Sequence, residues 1–148
     1  MNTTEYLINK YGAGDPKVVP GMLRHHIYKL FNKLGFKVGT EVGLFRGRNA
    51  RQMFREIPDL KLYGVEPYAD QPTSTRHKTV PRYDRNSAMM SNRLINTDLV
   101  LIEKFSEEAA RDSPDNSLDF VYIDGDHSYD FVMQDMIIWG RKVRTGGI

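Results

Sequence analysis

The chain has 148 residues, of which 40% are hydrophobic and 27% are charged, and it contains no cysteine. This length suffices for one domain with a packed core, and the composition is ordinary for a globular protein. The missing cysteine excludes disulfides, cysteine-based zinc sites and thiolate catalysis. No apolar run approaches the roughly 20 residues of a membrane span, and residues 1–10 lack a signal-peptide pattern. We therefore expect a cytoplasmic protein without a membrane partner.

Charge is distributed unevenly along the chain. Residues 1–95 carry 16 basic and 8 acidic residues, whereas residues 96–135 carry 2 basic and 11 acidic residues. A basic half is one mark of a nucleic-acid surface. Here the basic residues are scattered and no recognised nucleic-acid motif accompanies them. We therefore favour two differently charged faces of one domain over a nucleic-acid partner.

Hydrophobic spacing and turn residues predict the elements in chain order. Residues 1–20 are polar and punctuated by glycine and proline, which is typical of an N-terminal arm. The remaining chain, 21–148, is predicted to form one domain. Its predicted elements are a helix over 23–34, a strand over 37–42, a helix from 49 to 57, a strand over 60–65, a loop over 67–85, a helix over 86–95, a strand over 99–102, a helix over 106–111, a strand over 118–123 and a helix over 129–143.

Strands that alternate with helices predict an α/β fold, in which a doubly wound parallel sheet is covered on both faces. Ligands of such sheets bind beyond the carboxyl ends of the strands, where the strand order reverses. The residues that follow each predicted strand are therefore the candidate site residues.

The first two strand ends suit a nucleoside ligand. Residues 41–47, EVGLFRG, place Gly43 and Gly47 in a turn before a helix for which Asn49 is the predicted N-cap residue. The spacing is G-x-x-x-G and not the dinucleotide fingerprint G-x-G-x-x-G, so a plain strand-to-helix turn is an alternative. Glu66 follows the second strand, 19 positions after Gly47, where a carboxylate suits two ribose hydroxyls. A solvated surface glutamate is the alternative for Glu66.

The last two strand ends add an aromatic ring and a polar cluster. Phe105 could pack on an adenine, while Ser106 could bond the base or cap the next helix. Residues 124–129, DGDHSY, contain two carboxylates and an imidazole. Asp124 and Asp126 could hold Mg²⁺ or Ca²⁺, and His127 could be a general base. In the alternative, Asp126 or Ser128 caps the helix and His127 is structural.

Two other metal sites are excluded by their spacing. Residues 124–135 imitate the acidic positions of an EF-hand, but Tyr129 occupies the position that requires glycine, and a strand precedes the loop. His25 and His26 are adjacent and do not have the i, i+4 spacing of a helical metal pair. We read these two histidines as partly exposed helix residues.

Four segments together resemble the class I S-adenosylmethionine-dependent methyltransferases, and most of all methyltransferase family 24. They are residues 41–47, residues 64–67 (GVEP), residues 118–129 (LDFVYIDGDHSY) and residues 142–148 (KVRTGGI). The resemblance spans about residues 20–148 and implies a Rossmann-like α/β/α domain. The cofactor-binding residues that it implies are Glu41, Gly43, Leu44, Phe45, Arg46, Gly47, Asn49, Glu66, Pro67, Phe105, Ser106 and Asp124.

The family also implies a role for each part of the site. Residues 41–47 would surround the methionine part of the cofactor, Glu66 the ribose, and residues 105–106 the adenine. Asp124 would lie near the sulfonium or a metal ion. Asp126 and His127 would face the methyl acceptor. The implied catalytic residues are thus Asp124, Asp126 and His127, and the implied Mg²⁺ ligands are Asp124 and Asp126.

The chain departs from the family in two ways. Phe45 stands where a glycine is common in the turn. The family's sheet has seven strands, whereas residues 146–148 fall where the fifth strand begins, before a His-Asp pair that related members carry. We therefore expect a partial domain: an engineered truncation, a natural fragment, or an oligomer that covers the open edge of the fourth strand. We also expect weak cofactor binding and poor turnover.

The resulting functional prediction is S-adenosylmethionine-dependent methyl transfer to an oxygen of a small molecule or sugar, with Mg²⁺ as a candidate second cofactor. A non-catalytic nucleotide-binding module is the alternative from another class. A nicotinamide-dependent oxidoreductase is a third reading, and the glycine spacing argues against it.

Overall fold

The computed structural model describes residues 3–12, 23–68 and 97–148 of the chain. These residues form five helices and four strands. The helices are α1 (Thr3–Tyr11), α2 (Arg24–Lys33), α3 (Arg48–Glu56), α4 (Ser106–Asp112) and α5 (Tyr129–Gly140). The strands are β1 (Val38–Val42), β2 (Lys61–Val65), β3 (Asp98–Ile102) and β4 (Phe120–Ile123).

The four strands form one parallel sheet in the order β3-β2-β1-β4. Val42 at the end of β1 pairs with Val65 of β2 and with Ile123 of β4, and Val65 pairs in turn with Ile102 of β3. All four strands therefore end in one row. The order reverses beside β1, because β2 and β3 extend to one side of it and β4 lies on the other. This sheet confirms the predicted doubly wound fold.

Apolar side chains pack in two separate clusters, which gives the domain its three layers. One cluster joins α2 and α3 to the sheet, with Tyr28, Phe31 and Met53 at its centre. The other joins α4 and α5 to the sheet through Ala110 and Trp139. Full burial of one large apolar side chain contributes roughly 1.5–3 kcal/mol. One face of α5 stays exposed, with the side chains of Tyr129, Met133, Met136 and Ile137.

The N-terminal residues differ from the predicted arm, because residues 3–11 form helix α1. Glu5 lies in its first turn and Lys10 in its last, the charge arrangement that the helix dipole favours. The Thr3 hydroxyl donates a 2.6 Å hydrogen bond to the carbonyl of Gly146. The helix is thus held by a partner 143 positions away. The domain boundary at residue 20 stays a prediction.

Two helix ends also differ from their predictions. Helix α3 begins at Arg48, and its N-cap residue is Gly47 with a φ of +64°, so Asn49 lies inside the helix and not at its cap. Helix α5 ends at Gly140, because Val143 pairs with Leu118 in a parallel bridge. Beyond this bridge, the Ile148 N–H donates to the Asp119 carbonyl and the Ile148 carbonyl accepts from Val121, which occupies part of the free edge of β4.

The other predicted helices and strands within the described residues are confirmed to within about two residues. The predicted helix over 86–95 lies outside the described residues, as does the predicted loop over 67–85 except for Pro67 and Tyr68. Across the described part of the chain, no helix has the length and hydropathy needed to cross a membrane.

Candidate functional site

A cavity of about 500 Å³ lies beyond the carboxyl ends of the strands, at the point where the strand order reverses. Residues that follow all four strands contribute to its wall, and helix α5 contributes one side. The lining residues are Val42, Gly43, Phe45, Val65, Glu66, Pro67, Phe105, Ser106, Glu107, Asp124, Gly125, Asp126, His127, Ser128, Phe131, Gln134 and Asp135. The structure thus brings the glycine turn, Glu66 and Asp124 together, as the sequence predicts.

Gly43 allows the loops after β1 and β4 to meet. Its φ is +93°, a backbone conformation that residues with a side chain rarely adopt. A Cβ atom there would lie 2.4 Å from the carbonyl oxygen of Asp124. The N–H groups of Gly43 and Leu44 both donate to the carbonyl of Val65, at 2.9 and 3.2 Å. The Gly47 N–H then closes the turn by donating to the Leu44 carbonyl at 2.8 Å.

Leu44 lies in the core and not at the cavity. Its side chain is 2% exposed and packs over Gly64, where a Cβ atom would come within 2.7 Å of a Leu44 methyl carbon. Leu44 therefore anchors the turn after β1 to the hydrophobic core. Four other residues that the resemblance implies as cofactor contacts do not line the cavity either: Glu41, Arg46, Gly47 and Asn49.

Glu66 is 6% exposed, and one of its carboxylate oxygens accepts a 3.1 Å hydrogen bond from the N–H of Phe45. Burial raises the pKa of Glu66, and the Phe45 hydrogen bond opposes this rise. Phe45 has a φ of +48°, and its carbonyl accepts a hydrogen bond from the hydroxyl of the buried Tyr68. Both main-chain groups of Phe45 are thereby tied to the residues that follow β2.

A buried polar chain lies beneath the glycine turn. Glu41 is 1% exposed, and its Oε1 accepts a 3.0 Å hydrogen bond from the Asn49 amide, whose oxygen accepts from the Tyr28 hydroxyl. Among the described residues, Glu41 Oε2 has no hydrogen-bond partner. Burial raises the pKa of Glu41 to about 8; the Asn49 hydrogen bond opposes this, and the charge of Asp124 adds to it. Burial also raises the pKa of Tyr28.

Asp124 lies between two basic side chains. Its Oδ2 is 3.3 Å from an Arg24 guanidinium nitrogen, and its Oδ1 is 3.8 Å from His127 Nε2. Arg24 also lies over the ring of Tyr122, at 5.7 Å. Sequence reasoning missed Arg24, because it belongs to α2, 100 positions before its partner, and no local motif marks it.

Asp126 organises the start of α5. One of its carboxylate oxygens accepts a 2.8 Å hydrogen bond from the N–H of Ser128, the N-cap residue, while the Ser128 side chain makes no capping bond. Of the alternatives for Asp126, this contact matches the helix-start role. Within the described part of the chain, no group of three histidine, aspartate or glutamate side chains could hold a metal ion.

A second polar chain forms the wall on the side of α4 and α5. Ser106 is the first residue of α4 and Phe105 is the N-cap residue, so of the two roles considered for Ser106 the capping role is wrong. Its hydroxyl instead accepts a 2.8 Å hydrogen bond from the Trp139 indole and donates to Asp135. Burial raises the pKa of Asp135, while the Ser106 hydrogen bond opposes this and the charge of Glu107 adds to it.

Sequence reasoning missed Phe131, Gln134 and Asp135 as cavity residues. One signal was present for Asp135. It falls between Val132 and Trp139 at the helical spacing of the buried stripe, where a carboxylate is unusual unless it has a hydrogen-bond partner.

Solved structures with the same fold include several methyltransferases. A candidate caffeoyl-CoA O-methyltransferase from Staphylococcus aureus is 15% identical with a TM-score of 0.62, and the match covers 95% of this chain and 61% of that one. A Corynebacterium glutamicum protein is 12% identical with a TM-score of 0.61, covering 98% and 62%. An O-methyltransferase from Bacillus cereus, solved in complex with S-adenosylhomocysteine (SAH), is 13% identical with a TM-score of 0.56, covering 90% and 66%.

The chain therefore spans less than two thirds of the length of each of these structures. At such low identity the likeness shows the fold, a Rossmann-like α/β domain. No curated protein sequence matches the chain. The profile of one protein family, described as "Methyltransferase domain", matches residues 40–148, which include the last three residues of β1, the other three strands and the cavity residues. The chain belongs to this family, methyltransferase family 24, as the four sequence motifs indicated.

Proposed function

We propose that this chain binds S-adenosylmethionine and belongs to a methyltransferase that transfers the methyl group to an oxygen of a small molecule or sugar. One observation carries the proposal: the glycine turn, Glu66 and Asp124 surround a single cavity of about 500 Å³ where the strand order reverses. Cavities of roughly 300–1,000 Å³ suit ligands of this size.

The cavity residues fit the chemistry of the cofactor. Glu66 has about four lone-pair positions and the Phe45 N–H occupies one of them, so the carboxylate can also accept from two ribose hydroxyls. Gly43 lines the cavity, and a glycine lets the backbone approach a ligand closely. Asp124 and Glu66 place negative charge on the wall of the cavity, which suits a sulfonium cation.

Bound S-adenosylmethionine would supply a methyl group on a positively charged sulfur, which an acceptor oxygen takes up by in-line displacement. The residues of the chain then have three tasks. The glycine turn and Glu66 orient the nucleoside. Asp124, which is held by Arg24, places its own negative charge beside the reacting centre. His127 lies exposed at the mouth of the cavity, where its imidazole can take the proton of the acceptor hydroxyl.

The described residues do not fit the Mg²⁺ ion that the sequence suggested. Asp124 is already paired with Arg24, and Asp126 bonds to the backbone of Ser128. Mg²⁺ prefers six oxygen ligands in an octahedron. We therefore assign no step to a metal ion. A cytoplasmic location, and an oligomer that covers the edge of β4, also stay predictions.

Calorimetry of the 148-residue chain tests the proposed cofactor. We expect S-adenosylmethionine and SAH to bind and NAD not to bind. The same measurement separates the alternatives, since a nicotinamide-dependent enzyme would bind NAD instead. A nucleotide-binding module without catalysis would bind the cofactor but would transfer no methyl group to any hydroxyl acceptor.

The Glu66→Ala substitution tests the ribose contact. Because it removes charge-assisted hydrogen bonds to two hydroxyls, we expect the affinity for SAH to fall roughly 10- to 100-fold. Glu108→Ala is the matched control, since Glu108 is an exposed α4 residue that does not line the cavity. An affinity that Glu66→Ala leaves unchanged would show that the ribose assignment is wrong.

A further inference from the structure

The cavity wall contains a buried carboxylate that the proposed methyl transfer does not use. Asp135 lies in the middle of α5, is 6% exposed and lines the cavity. A carboxylate in such a place is costly unless hydrogen-bond donors surround it. The hydrogen-bond partners of Asp135 therefore determine what this carboxylate can do in the cavity.

The hydrogen bonds around Asp135 have a fixed direction. An indole N–H can only donate, so Ser106 Oγ accepts from Trp139. The single hydroxyl proton of Ser106 then points to Asp135 Oδ1, which accepts it. Asp135 is thereby held as an acceptor, and the Ser106 hydroxyl that bonds to it is fixed in turn by Trp139, which is 1% exposed.

The surroundings of Asp135 suit a flat heterocycle. Phe105 and Phe131 line the same cavity and offer aromatic surfaces on which a base can pack. Of the purine groups that could reach an acceptor, the exocyclic amino group of adenine is a donor, whereas the corresponding carbonyl of hypoxanthine or guanine is an acceptor. A rigid acceptor that faces position 6 of the purine therefore distinguishes a 6-amino purine from a 6-oxo purine.

We propose that Asp135 selects adenine in the bound nucleoside, by accepting a hydrogen bond from its exocyclic amino group. This inference rests on the proposed function and names the residue that gives the cofactor site its base specificity. Burial raises the pKa of Asp135, and a hydrogen bond donated by the ligand would oppose this rise.

Two neighbouring polar residues lack the features needed for this selection. Gln134 lines the cavity, but an amide both donates and accepts, so it can turn to suit either base. Glu107 lines it too, but its side chain is exposed, and water competes for its oxygens. Asp135 alone among these three combines burial with a fixed acceptor.

The test compares SAH with S-inosylhomocysteine, in which a carbonyl replaces the adenine amino group. Calorimetry of the 148-residue chain should show SAH binding roughly 10- to 100-fold more tightly than the analogue. The analogue loses a charge-assisted hydrogen bond and places its carbonyl, an acceptor, against the Asp135 carboxylate, which is also an acceptor. In Asp135→Asn the ratio should fall to within about threefold, because an amide can donate to the carbonyl. Asp130→Asn, an exposed substitution five positions earlier on α5, should keep the original ratio.

Each outcome separates this inference from the proposed function. If wild-type chain binds SAH and the inosine analogue equally, or if Asp135→Asn keeps the discrimination, Asp135 does not select the base and the proposed function stands. If neither ligand binds, both proposals fail. Should Asp135→Asn not fold, as judged by circular dichroism, an SAH analogue with a dimethylated amino group replaces it. Wild-type chain should bind this analogue as weakly as the inosine form, and tight binding would overturn the inference.

Discussion

Glu41 carries a carboxyl group in a place that water does not reach, and this ties the stability of the fold to pH. Its pKa is about 8 in the folded chain against an ordinary 4.5, and burial is the main cause. Between these two values the folded state keeps a proton that the unfolded state has lost. The contribution of Glu41 to stability is therefore fully present below about pH 4.5 and is lost as the pH rises to about 8.

The Glu41→Gln substitution should remove this dependence, because the amide stays neutral at every pH. We expect the variant to be more stable than wild type at pH 8.5, by at most about 5 kcal/mol, and the difference to shrink toward zero near pH 4.5. Urea unfolding at both pH values measures it. Glu108→Gln, at an exposed position, is the control. A pH-independent difference between Glu41→Gln and wild type would contradict the buried-proton explanation.

Gly43→Ala should destabilise the folded chain. The new methyl group would lie 2.4 Å from the Asp124 carbonyl and the backbone would keep a φ of +93°, so the loops after β1 and β4 would have to separate. We expect a loss of about 2–4 kcal/mol in urea unfolding, from strain and displaced packing. Gly140→Ala is the matched control, since nothing lies within 4 Å of a Cβ atom there. Equal stabilities for the two variants would show that the loops do not meet as described.

The positions of the candidate site residues could be predicted from the sequence only where a strand end marked them. Gly43, Glu66 and Asp124 each follow a strand, and parallel strands bring such positions together. The partner of Ser106 could not be predicted in this way, since Asp135 and Trp139 lie 29 and 33 positions later, on another helix. Long-range side-chain pairing depends on how helices pack, and no local pattern encodes it.

At the scale of secondary-structure elements, Asp119 connects the start of β1 to the segments around β4. Its Oδ2 accepts the N–H groups of Lys37 and Val38 at 2.6 and 2.8 Å, and its Oδ1 is 2.7 Å from Arg144. Burial acts to raise the pKa of Asp119, but these hydrogen bonds and the Arg144 charge outweigh it and hold the pKa below 3.8. The ionised carboxylate thus stabilises the fold above that pH, and the contribution is lost as the pH falls.

Asp119→Asn should therefore destabilise the chain by about 2–3 kcal/mol at pH 7, since an amide cannot accept all three donors. The deficit should become smaller at pH 3, because the unfolded chain binds a proton at this position below pH 3.8 and the stabilisation by the ionised carboxylate then declines. Urea unfolding at the two pH values measures both effects. Asp59→Asn is the control, because that side chain is 92% exposed. A deficit of the same size at both pH values would argue against the charge-based role of Asp119.

Helices and strands with strong periodicity could be predicted from the sequence, whereas their ends could not. The apolar spacing that marks α5 runs on to Val143, but that residue pairs with Leu118 instead. Helix α1 was missed because its residues are polar, and its contact with Gly146 is distant in the sequence. In both places a tertiary contact outweighs the local pattern.

At the scale of the whole molecule, the doubly wound parallel sheet followed from the alternation of strands and helices, whereas the strand order β3-β2-β1-β4 is known only from the structure. Right-handed crossovers leave few ways to arrange four parallel strands, and one of these places a reversal beside β1. The position of the site could be predicted for this reason. The ion pair of Arg24 with Asp124 could not, since it joins the helix before β1 to the loop after β4.

The contact of Leu44 with Gly64 joins the turn after β1 to the second strand, so that substitutions at these two positions depend on each other. A methyl group gained at position 64 leaves no room for the leucine side chain above it. A smaller residue at position 44 would have to appear with it, or the turn would rise and carry the Phe45 amide away from Glu66. Related domains should therefore exchange volume between these two positions while their sum stays nearly constant.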